Sequence, residues 1–165
     1  VGGGSVVTAG DVAFDLPAGW KSMRPSSQMR LAEARVPGDM DNPSDPTSDC
    51  AVAFFVFGGT VEANVARWQA NMLDESGVPA PLKREDLEIG GLAVTTVEMS
   101  GTYTDGMPGG VQTRRPNWMF RGAIIGTKPQ LTFVRMTGPR EAMAAAGGGW
   151  EALIGSMRSA PGGAR

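Results

Sequence analysis

The sequence predicts an α+β fold, a central antiparallel sheet of about six or more strands sandwiched between helices, and three observations carry that prediction. Consecutive β-prone runs are joined by tight connections at Gly90-Gly91 and Lys128-Pro129, which makes neighbouring strands antiparallel. Residues 50–57 are apolar or aromatic throughout, as befits a central strand covered on both faces. Apolar residues at helical spacing follow that run and return near the end of the chain, and no internal repeat is seen.

Taken in order, residues 6–8 and 12–15 are short β-prone runs split by Ala9-Gly10-Asp11, the pattern of a small hairpin. Leu16-Pro17-Ala18-Gly19-Trp20 then turns the chain. Residues 29–36 alternate loosely, as in a partly exposed strand, until Pro37-Gly38 stops them. A polar loop over residues 39–49, punctuated by Pro43 and Pro46, feeds into the central apolar run. Gly58-Gly59 ends that run and Thr60 is placed to cap a helix. Val61, Val65, Trp68 and Met72 make its apolar stripe, and Gly77 and Pro79 close it.

Residues 82–89, 92–103, 119–127 and 130–137 are four further strands, the second and third separated by a long glycine- and proline-rich loop, 104–117. Gly138-Pro139 opens a last helix in which Met143, Trp150, Leu153, Ile154 and Met157 share a face. Gly147-Gly148-Gly149 weakens its middle by about 1 kcal/mol per glycine, so a break is expected there. Residues 6–159 thus form one domain, with a flexible lead-in at 1–5 and a short tail at 160–165. Val1 stands where Met would begin a chain, and a cleaved signal peptide or a cloning remnant are the two readings of the glycine-rich start.

The composition narrows the function. In 165 residues the apolar share is 41%, the charged share 19% and the formal net charge -2. The only adjacent basic pairs, Lys83-Arg84 and Arg114-Arg115, are too few to neutralise a run of phosphates, so no nucleic-acid partner is expected. No apolar run approaches the ~20 residues of a membrane-spanning helix. Histidine is absent, which removes the Ser-His-Asp and Cys-His arrangements, the two-histidine facial triad and the usual catalytic zinc site. No phosphate-cradling glycine motif occurs either.

The carboxylates Asp74-Glu75 and Glu85-Asp86-Glu88 read as solvated faces rather than a catalytic pair. Cys50 has no partner for an internal disulfide and heads the most buried strand, where a thiol packs as a small hydrophobe. Asp39, Asp41, Asp45 and Asp49 offer oxygen ligands to a hard cation such as calcium, although their spacing is not an EF-hand and proline-punctuated acidic loops are more often just solvated. Trp20, Trp68 and Trp150 fall at core positions, whereas Trp118 follows the loop that carries Met107, Arg114 and Arg115. That mixture suits an interaction surface, and the plainer alternative is Trp118 packed against the sheet edge.

Several motifs, in this order, resemble the PsbP/Mog1-like superfold and in particular small exported bacterial proteins and lipoproteins of uncertain function. They are Leu16-Pro17-Ala18-Gly19-Trp20, Asn64-Val65-Ala66-Arg67-Trp68 with Asn71-Met72, Gly101-Thr102-Tyr103, Gly122-Ala123-Ile124-Ile125, and residues 133–139 ending in Gly138-Pro139. The resemblance spans about residues 14–159. It implies a non-enzymatic accessory or scaffold role, because PsbP proteins are extrinsic subunits that dock on a membrane complex and Mog1 binds a small GTPase. A protein partner, no cofactor, and an exported, periplasmic or membrane-attached location are the expectations that follow. From the residues themselves, Trp68 fills the core while Asn64 and Arg67 bond a neighbouring loop or strand end. The alternative function is a metal-ion or small-ligand binding protein using the 39–49 loop or a helix-sheet cleft.

Overall fold

The computed structural model describes residues 6–24, 31–37, 49–106 and 112–160. Eight strands form one antiparallel sheet: β3 Lys21–Met23, β4 Ala32–Val36, β5 Cys50–Phe57, β6 Met72–Leu73, β7 Lys83–Ile89, β8 Leu92–Gly106, β9 Gln112–Ile125 and β10 Leu131–Pro139. Their order is β3-β4-β5-β10-β9-β8, and both β6 and β7 pair with the far side of β8, at different points along its length. The apolar run lies inside the sheet, between β4 and β10, as expected. Alternation sends Val52 and Phe54 into one layer and Phe55 into the other.

Helix α1, Val61–Ala70, covers one face of the sheet. Its Val65 and Trp68 pack with Phe120, Ile124 and Phe133, and the Trp68 ring meets Phe120 and Phe133 at centroid distances of 5.0 and 5.7 Å. Such aromatic pairs are worth about 0.5–1.5 kcal/mol each beyond the area they bury. Gly122 permits this close approach, since a β-carbon there would collide with the indole. Thr60 caps the helix as predicted, its hydroxyl accepting from the Ala63 N–H at 3.0 Å.

The other face is covered by helices α2, Arg140–Ala145, and α3, Gly147–Gly155, and by a second, small sheet. That sheet is the expected N-terminal hairpin, β1 Val6–Ala9 with β2 Val12–Asp15, extended by β11, Arg158–Ser159. Phe14, Leu16, Val134, Met136, Met143 and Leu153 fill the layer between.

The structure corrects three boundaries. The first helix ends at Ala70 rather than near Gly77: Met72 stays buried but belongs to β6, where it pairs with Tyr103. Residues 74–78 instead form a turn around the Asp74 carboxylate, which accepts from the N–H groups of Ser76 and Val78. Residues 104–117 are mostly not a loop, because β8 continues to Gly106 and β9 resumes at Gln112. Of the strand expected over 29–36, Ala32–Val36 is strand, the Leu31 N–H donates to the Phe54 carbonyl, and residues 29 and 30 lie outside the described residues. As expected, the last helix opens after Gly138-Pro139, with Pro139 as its N-cap, and it breaks at Ala146, directly before the three glycines.

Candidate functional site

The predicted surface around Trp118 lies on the β8–β9 ribbon, and its shape follows from strand registry. β10 pairs with β9 only as far as Trp118, so residues 112–117 run beyond the sheet with β8 as their ladder partner. Gly101 faces Trp118 while Tyr103 faces Arg115, so two steps along β8 match three along β9. The extra residue is a bulge at Pro116-Asn117, where Asn117 takes a φ of 58°. Asparagine tolerates this left-handed conformation better than most residues.

The bulge brings three side chains into one stack. The Tyr103 and Trp118 rings lie parallel, 5.8 Å apart and 3° from coplanar, and the Arg115 guanidinium sits 5.1 Å from the Trp118 centroid. Tyr103 is buried and joins the layer beneath α1, whereas Trp118 and Arg115 are half-buried and reach the surface. A cation over an indole contributes about 0.5–1 kcal/mol in such a setting, enough to hold the arginine in place.

Not every predicted residue joins the stack. Strand alternation separates the Arg114-Arg115 pair: Arg114 is exposed and faces Thr104 in the ladder, on the other side of the ribbon from Arg115. Met107 lies outside the described residues. Tyr103 was legible only as the end of a strand; residues 112–115 are all polar, so no alternation signalled that the ladder continues and places the tyrosine opposite Arg115.

Of the proposed cation ligands, Asp39, Asp41 and Asp45 lie outside the described residues. The Asp49 carboxylate is buried and pairs with Arg35 at 3.6 Å. Asn64 is buried and donates through Nδ2 to the carbonyls of Gly58 and Thr60, the loop contact expected of it. Arg67 lies 4.8 Å over the ring of Phe57, the last residue of β5. Trp20 is half-buried against Gly149, and Trp150 is buried. Gly138 passes tightly against Cys50, whose thiol burial pushes up to about 12.

No protein family and no curated protein matches the chain by sequence. Solved structures share its fold. The cyanobacterial PsbP, CyanoP, of Synechocystis superposes with a TM-score of 0.57 at 10% identity, over 96% of this chain and 94% of the other. LpqN of Mycobacterium tuberculosis, described as involved in cell envelope biogenesis, gives 0.56 at 11% identity, over 96% and 86%. A Pseudomonas aeruginosa protein of unknown function, described as a putative regulator, gives 0.51 at 14% identity, over 92% and 94%.

Proposed function

We propose that this chain, with its PsbP-like α+β fold, is a non-enzymatic accessory or scaffold protein that docks as an extrinsic subunit on another protein or a membrane-associated complex. The observation that carries the reading is the Tyr103–Trp118–Arg115 stack on a ribbon that outruns its sheet. Tryptophan, tyrosine and arginine are the residues most enriched where partners anchor, and a half-buried indole already held by a cation loses little freedom when covered. Arg114, on the ribbon's other side, extends the surface. The involvement in cell envelope biogenesis described for LpqN supports an exported, envelope-associated location. No helix among the described residues is long and apolar enough to cross a membrane, which accords with attachment through a partner.

The test is affinity capture of the tagged protein from membranes of its own organism, in parallel with the Arg114→Ala, Arg115→Ala, Trp118→Ala triple variant. One stoichiometric partner, recovered by the native chain and lost by a variant that is still folded at the capture temperature, is the expected result. Equal recovery by both chains, or recovery of the bare protein alone, overturns the reading.

A further inference from the structure

A groove of about 420 Å³ opens on the sheet face opposite α1, between the exposed edge strand β7 and helix α3. Its volume lies in the ~300–1,000 Å³ range of small-ligand sites. The apolar part of the lining is Leu87 and Ile89 of β7 with Trp150 and Ile154 of α3. Below them, on β8 and β9, stand Thr96, Glu98 and Arg121.

Arg121 is only 9% exposed, and its bonds are unevenly shared. Nε donates to Glu98 Oε1 at 3.3 Å and Nη1 to the Met143 carbonyl at the end of α2. These two contacts give the arginine a structural role and account for two of its three nitrogens. Nη2 meets no acceptor among the described residues and lies beside Gly147, where a β-carbon would stand 3.3 Å from it. The glycine at the helix break therefore leaves the approach to that nitrogen open. A buried guanidinium with an unspent donor is an anchor for a carboxylate.

The remaining charges decide what kind of carboxylate. Lys83 and Arg121 line the groove together with Glu85, Glu98 and Glu151. A simple anion meets a surplus of carboxylates, and a simple cation meets Arg121. A zwitterion satisfies both, its carboxylate on Arg121 and its ammonium toward the glutamates, with an apolar side chain against Leu87, Ile89 and Trp150. We infer that the groove between β7 and α3 binds a free α-amino acid with an apolar side chain. The site is separate from the ribbon surface and stands or falls independently of it.

The experiment is calorimetric titration with L-leucine and L-phenylalanine, with N-acetyl-L-leucine and L-leucine methyl ester as probes of the two charges. Saturable binding of a free amino acid is expected, weakened at least tenfold by blocking either charge. Because Arg121→Ala removes the contact to α2 and risks misfolding, the informative variant is Gly147→Val, which places a branched side chain beside Nη2. It is expected to lower affinity at least tenfold while the chain still unfolds cooperatively, and Leu87→Glu on the exposed edge strand to lower it likewise with an unchanged unfolding temperature. Absence of binding by both amino acids, equal binding of the blocked forms, or affinity unaffected by Gly147→Val each overturns the inference.

Discussion

Cys50 shows how much of a residue's chemistry is set by the strand it sits on. It is fully buried at the start of β5, and burial, opposed by the nearby Arg121 charge, pushes its thiol up to about 12. The folded value lies above the unfolded one of about 8.5, so the stability tied to the neutral thiol is complete below that pH and is lost as pH rises toward 12. Urea unfolding from pH 8 to 10.5 is expected to show stability falling by as much as about 1.4 kcal/mol per pH unit, with a shallower slope in Cys50→Ala. Iodoacetamide at neutral pH is expected to leave the folded thiol unlabelled. Residues of this kind were legible because their environment is local to one strand or helix: Cys50 from the apolar run it heads, Trp68 from its helical stripe. Tyr103 and Arg121 were not, since their roles depend on which residue of another strand stands opposite, and a single sequence does not state registry.

At the scale of elements, the strands that alternate or stay apolar were readable, and so were the glycine-marked turn at Gly90-Gly91 and the helix break near Gly147. The far half of the β8–β9 ribbon was not. Gly106, Pro116 and Asn117 are loop-forming residues by themselves, and the ladder with the neighbouring strand overrides that preference. The helix end was misplaced for a related reason: Met72 continues the helical stripe, yet its pairing with Tyr103 draws it into a strand. Asn117 carries the consequence for stability. Because its φ of 58° strains a branched side chain, Asn117→Val is expected to cost about 1–2 kcal/mol, and Asn117→Gly close to nothing. Guanidinium unfolding of the three proteins checks this, and the Trp118 fluorescence of the valine variant is expected to lose its stacked signature.

At the scale of the whole molecule, an α+β sheet with helices on both sides was legible from the order of the elements. The second sheet was only half so, because the two residues of β11 are too short to show any period. That strand nonetheless closes the structure across nearly its full length. The Asp15 N–H donates to the Ser156 hydroxyl at 2.8 Å, Arg158 pairs with the Asp15 carboxylate at 3.0 Å, and the Ala160 N–H reaches the Asp11 carbonyl at 2.8 Å. The ion pair is exposed and contributes little, whereas Met157 is buried among the core side chains. Arg158→Ala is therefore expected to cost under about 1 kcal/mol and Met157→Ala about 2–5 kcal/mol, measured by thermal unfolding.

This closure also orders events in time. Within this chain the first hairpin is synthesised well before the strand that completes its sheet and the helix that covers it. Until they arrive, Val12 and Phe14 lack their cover, and a premature stop or a factor that keeps the nascent chain extended acts on the same open seam. A chain cut just before Arg158 thus forfeits the shelter of β1 and β2, and quality-control proteases would meet that defect on both of those strands.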